Sequence, residues 1–201
     1  YFNTIFGNVD FAINNYFYAI KIFEELGSIT DIATCYNNIA VIYRNRGQTE
    51  LAFKYYFKSL EMEIELADSN KIANSINNIG IIYSKQDKIN EAIGCFRSGL
   101  QIYKQIGNQH GIAQTLGNFA SILLSHEQYR YAFSCFSNAL NIYIQINDKI
   151  NVSFILYRLG DLFEIQGKDK EAYKYYHSSA KIATEIGDKR GLAFALLGMG
   201  K

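Results

Sequence analysis

Ala12, Ala52, Ala92, Ala132 and Ala172 recur at intervals of 40 residues, and most of the chain repeats in step with them. An aromatic follows each alanine at one distance, as Tyr16, Tyr56, Phe96, Phe136 and Tyr176. A small residue comes next, as Ala19, Ser59, Gly99, Ala139 and Ser179. Upstream, an apolar residue followed by a small one keeps the same register, from Ile39–Ala40 and Ile79–Gly80 to Met199–Gly200. A fixed period in this range marks a stacked repeat, in which each unit buries its apolar face on its neighbours and no single central core forms. Full units are expected at 31–70, 71–110, 111–150 and 151–190, with partial units at 1–30 and 191–201, all within one domain over 1–201.

Each unit reads as two helices. Ile32, Ala33, Tyr36, Ile39, Ala40 and Tyr43 follow the three-and-four spacing of one helical face, and Leu51, Ala52, Tyr55, Tyr56, Leu60 and Ile64 do the same. A breaker separates the two at Gly7, Gly47, Asp87, Glu127 and Gly167, where glycine suits a left-handed residue past a helix end and the two acids call for a slightly different turn. A second breaker closes each unit at Gly27, Ala67, Gly107, Asn147 and Gly187, and the polar residues after it (Asp68, Asn108, Asp148, Asp188) suit helix caps. Proline is absent, which long uninterrupted helices accommodate. The fold class is therefore all-α. The small residues belong where two helices cross: Ala52 is expected against Ile39 and Ala40, and Tyr56 in the seam with the following unit.

In this order Tyr36, Ile39, Ala40, Tyr43, Ala52, Tyr56 and Ser59 resemble the tetratricopeptide repeat pattern, and the resemblance covers nearly the whole chain. It implies a right-handed α-solenoid of antiparallel helix pairs, the superhelix of that family. The period departs from the usual 34, and the lengthened repeats are similar to those of kinesin light chain, the G-protein-modulator scaffolds and the Rap-type bacterial peptide receptors, all of which bind peptides or proteins.

The resemblance further implies that the first helix of each unit lines a concave groove. Its candidate recognition residues are Asn37, Asn38 and Arg44, then Asn74, Asn77 and Asn78, then Gln114 and Asn118, and finally Tyr157 and Arg158. Asn38, Asn78 and Asn118 share one register. An amide both donates and accepts, so a row of them suits the backbone of an extended peptide; the same asparagines also suit bonds to adjacent helices or to water. Arg158, with Asp161 one turn on, fits either a ligand carboxylate or an internal pair. A chaperone-type carboxylate clamp is poorly matched, because Thr34, Asn74, Gln114 and Phe154 stand where its lysine belongs.

A net charge of +1 with scattered lysines removes the electrostatic argument for nucleic acid. No apolar run approaches the roughly 18 residues of a membrane span. Three cysteines, odd in number and far apart, fit a reducing compartment and a cytoplasmic setting. His110, His126 and His177 share no metal-ligand spacing, no nucleophile–base arrangement stands out, and neither cofactor nor catalysis is expected. The reading is a protein- or peptide-binding scaffold; the alternative is a sensory or oligomerisation module of a larger bacterial signalling protein, such as a histidine kinase or transcription regulator. Both ends fall inside a first helix, so the chain is expected to be a piece of a longer protein. Phe2 and Phe6 at one end, and Leu192, Leu196 and Leu197 at the other, suggest end-to-end self-association.

Overall fold

The computed structural model describes residues 2–200, with side chains from Val9 onward. Among them it contains ten helices and no strand: α1 (Phe2–Glu25), α2 (Ile29–Asn45), α3 (Thr49–Glu65), α4 (Ser69–Lys85), α5 (Ile89–Gln105), α6 (Gln109–Ser125), α7 (Tyr129–Gln145), α8 (Lys149–Ile165), α9 (Asp169–Glu185) and α10 (Lys189–Met199). The protein is an all-α chain of helix pairs stacked in solenoid fashion.

A half-period of 20 residues sets the helix lengths. Two places past every helix end from α1 to α9, between Gly27 and Gly187, stands a residue with φ between 52° and 73°. At α2 the Gly47 N–H donates to the Arg44 carbonyl at 3.1 Å and the Gln48 N–H to that of Tyr43 at 2.9 Å, the paired bonds of a Schellman ending. Asp87 and Glu127 make no different turn; they adopt φ of 60° and 58° in the same ending, with Gln128 N–H reaching the Leu123 carbonyl at 2.8 Å. Those carbonyl bonds outweigh the roughly 1–2 kcal/mol that a Cβ costs in the left-handed region. Glu127→Gly is therefore expected to raise stability by about 1 kcal/mol, the left-handed strain removed less the extra backbone entropy glycine loses on folding. An unchanged or lower urea midpoint would count against it.

Gly7 is no breaker, since α1 runs through it. A lone glycine inside a helix costs only about 1 kcal/mol relative to alanine. The side chains of Phe2 and Phe6 lie outside the described residues.

Asp68, Asn108, Asp148 and Asp188 cap α4, α6, α8 and α10 by accepting from the amides of Lys71, Gly111, Asn151 and Gly191 at 2.8–3.1 Å. These four helices are thus pinned at their starts, and each is the first helix of its pair; α2, also a first helix, has no side-chain bond of this kind at Ser28.

Two compact units divide the chain, Tyr1–Ile106 and Gly107–Lys201. In the first, Ala52 shares one buried cluster with Ile39, Ala40, Tyr56, Ile79 and Ile82, so Tyr56 does reach the following pair. Tyr55 stacks on Tyr36 and Tyr43 with centroids 5.9 and 5.5 Å away. The Ser59 hydroxyl lies 2.8 Å from the Ala33 carbonyl of its own pair and 2.7 Å from Glu63 Oε1. Glu63 is only 1% exposed, and its Oε2 has no hydrogen-bond partner among the described residues. A buried acceptor left unbonded costs about 1–3 kcal/mol. Glu63→Met, similar in reach, should raise the melting temperature; a fall would show that the carboxylate is better satisfied than this geometry indicates.

The second unit repeats the arrangement with Ala132, Phe136, Leu159 and Leu162 in one buried cluster. Ser179 takes the role of Ser59, its hydroxyl donating to the Ser153 carbonyl at 2.8 Å. Burial, the larger cause in each case, pushes the phenols of Tyr56, Tyr103 and Tyr143 up to about 12 from the ordinary 10. A raised folded value means that the unfolded chain releases these protons first as pH rises. Stability is then fully present below about pH 10 and falls as pH rises toward 12. An alkaline titration of phenolate absorbance alongside helical content checks this: ionisation of these three near pH 10 without loss of helix would contradict it.

Candidate functional site

In the first unit the polar residues of α2 and α4 are largely spent on holding helices together. Asn37 Nδ2 donates to Ser75 Oγ at 3.0 Å, and Arg44 Nη1 donates to Asn78 Oδ1 at 2.7 Å, tying the two first helices to each other. Asn74 Oδ1 accepts from the Tyr103 hydroxyl at 2.6 Å. Asn77, 5% exposed, is packed on α5: a Cβ added to Gly99 would fall 3.1 Å from its Cγ. Asparagine recurs here because a short amide fits between closely spaced helices and bonds across them. Asn38 is half-buried, and its amide makes no hydrogen bond among the described residues.

The second unit offers something different. Its first helices, α6, α8 and α10, with Ser179 of α9, border a cavity of about 640 Å³. Tyr157 and Arg158 both line it, together with Ser121 of α6. Gln114 is exposed and Asn118 half-buried on α6, and neither is among the lining residues.

Arg158 has an internal partner. Its Nη1 donates to Asp161 Oδ2 at 2.7 Å, while Nη2 lies 3.5 Å from Ser121 Oγ. Asp161 Oδ1 in turn accepts from the Tyr176 hydroxyl at 2.9 Å, which also lies 2.5 Å from Glu164 Oε2. Burial first, and then bonding to Glu164 and Asp161, push the Tyr176 phenol far above its ordinary range. The charge pair thus rests on a buried, proton-bearing hydroxyl, which fixes the guanidinium beside the cavity.

The apolar wall was not anticipated from sequence. Ile150, Phe154 and Phe194 line the cavity, Phe154 56% exposed and Phe194 44%. Tyr157 lies against Phe194 at 6.0 Å between centroids, and the Arg190 guanidinium stands 5.7 Å from the Phe194 ring. A signal existed: one first-helix register runs Thr34, Asn74, Gln114, Phe154, Phe194, turning from polar to aromatic in the last two first helices. Among the described residues no group of three or more His, Cys, Asp or Glu side chains is placed to hold a metal ion, and no helix is long and apolar enough to cross a membrane.

The tetratricopeptide repeat family matches residues 31–105 and, overlapping, 71–145. Among solved structures, BtubC (BKLC) from P. vanneervenii is similar with a TM-score of 0.81 at 14% identity, over 96% of this chain and 82% of its own. Aspartyl phosphate phosphatase F from Bacillus subtilis gives 0.78 at 16%, over 95% of this chain and 52% of its own. A Rap protein complexed with competence and sporulation factor gives 0.68 at 17%, over 95% of this chain and 58% of its own. This chain therefore spans little more than half the length of the latter two, and at such identities the likeness is one of fold. No curated protein matches it significantly.

Proposed function

We propose, for a chain that belongs to the tetratricopeptide repeat family, that it is a binding module whose first-helix face in the second unit takes an extended peptide or a segment of a partner protein. The observation that carries this reading is the cavity of about 640 Å³ between α6, α8 and α10, bordered by exposed aromatic rings and a positioned guanidinium. Exposed aromatics beside a few oriented polar groups are the usual make-up of a recognition surface, since rings bury much area at low entropic cost. Phe154 and Tyr157 supply that area. Arg158 and Ser121 orient the ligand, and Asn118, on the register of Arg158, extends the face along α6. The role of the module is binding, without catalysis. That a Rap protein of similar fold is seen complexed with competence and sporulation factor fits this reading.

A library of random seven-residue peptides, selected on the intact chain and counter-selected on the Phe154→Ser variant, tests it. The expected result is enrichment of peptides that depend on Phe154. Recovery of only those peptides that bind the variant equally well would remove the site from this face.

A further inference from the structure

Resting on that reading, we infer that the preferred occupant is an acidic peptide segment, with two carboxylate side chains bracketing one large apolar residue. Three placements converge on it. Arg190 is the register equivalent of Ile150, two turns before Arg158, and both arginines line the cavity. Neighbouring first helices are staggered by about three register positions in this unit: Ser121, the equivalent of Asp161, approaches Arg158, and Phe194, the equivalent of Phe154, lies against Tyr157. With that stagger the two arginines are offset by about five residues, roughly 8 Å along the helix axes at 1.5 Å per residue, and by one interhelical spacing of about 8–10 Å across them, so their backbones lie roughly 12 Å apart beside the cavity. Phe154 and Phe194 occupy the register midway between them.

An extended peptide covers about 12 Å in roughly four residues. Acids four apart would reach one guanidinium each, and the residue midway between them would meet the phenylalanines. The carboxylates already present leave guanidinium N–H donors open to a ligand. Asp188 lines the cavity, but its Oδ1 accepts from the amides of Arg190 and Gly191 as the helix cap. Asp161 engages only one edge of Arg158, through Nη1, and a guanidinium carries five N–H donors. The Arg190 side chain forms no ion pair among the described residues. A charge-assisted bond at each end, with an apolar side chain between, makes the occupant's composition specific.

The test uses the capped peptide acetyl-Gly-Glu-Ser-Phe-Ser-Glu-Gly-amide, whose only carboxylates are the two side chains, and its counterpart with both Glu replaced by Gln. Calorimetric titration of the intact chain should show the Glu peptide bound more tightly by roughly tenfold or more. Arg190→Gln should erase most of that difference, and added salt should narrow it. Helical content and melting temperature should not move, because Arg190 is exposed. Equal binding of both peptides, lost on Phe154→Ser, would overturn the acidic preference while leaving the binding face in place. Phe154-dependent peptides without acids, returned from the random library, would overturn it in the same way. No binding of the Glu peptide, or binding indifferent to Arg190→Gln, would also overturn the inference.

Discussion

Tyr176→Ala is expected to lower the stability of the second unit by about 3–5 kcal/mol, the range for removing a fully buried ring. The side chain is 1% exposed and touches both helices that flank it. A Cβ placed on Gly160 of α8 would lie 2.5 and 2.9 Å from its Cδ1 and Cζ, and one on Gly198 of α10 would lie 2.7 Å from Cε1 and Cζ. The ring is thus clasped between two bare backbones. The hydroxyl has a separate part: it is the proton donor between Asp161 and Glu164. Tyr176→Phe should cost less, about 1–3 kcal/mol, by leaving two carboxylates facing each other without that donor. Because repeat proteins unfold in parts, hydrogen exchange resolved along the chain is the right measurement, with protection lost first in α8 to α10. If the Ala and Phe variants are equally destabilised, the packing of the ring is not what holds this unit together.

Gly160→Ala should be nearly as damaging, at about 1–3 kcal/mol and toward the upper end. The clash is with the body of a ring, not with the tip of a flexible chain. The ring has no retreat, since moving away from α8 drives it into Gly198 on α10. In other helices alanine in place of glycine is favourable by about 1 kcal/mol, so the sign here reverses the propensity rule. A double-mutant cycle isolates the contact: in the Tyr176→Ala background the cost of Gly160→Ala should largely vanish. Additive costs would mean that the glycine serves some purpose other than admitting the ring. Both changes should also weaken the peptide binding proposed for the adjacent cavity, because Tyr176 steadies Asp161 and through it Arg158.

Much of this was open to reading from residue spacing. Alanine at the crossing, the wedged aromatic and the small residue after it all sit where the 40-residue register places them, because each is dictated by the nearest neighbours in a stack. Caps at Asp68 and Asp188 were equally legible, being local. The turns at Asp87 and Glu127 were not, since a left-handed acid is tolerated only when the helix-ending bonds it completes exceed its strain.

The site divides the same way. Period and apolar pattern were enough to establish helix pairs and most of their boundaries, because these depend on interactions within about one repeat; the first-helix face was singled out only by the family resemblance. Which polar residues on that face remain available depends on the distance between neighbouring helices, and that is a property of packing. Only the tertiary structure shows Asn37 and Asn78 bonded across α2 and α4, Asn77 buried against Gly99, and Arg158 held by Asp161 with the buried Tyr176 hydroxyl behind it. An amide reads identically in sequence whether it bridges two helices or faces solvent. The cavity walled by Phe154 and Phe194 exists because two residues 40 apart fall side by side, and it is the stacking of helices that brings them together.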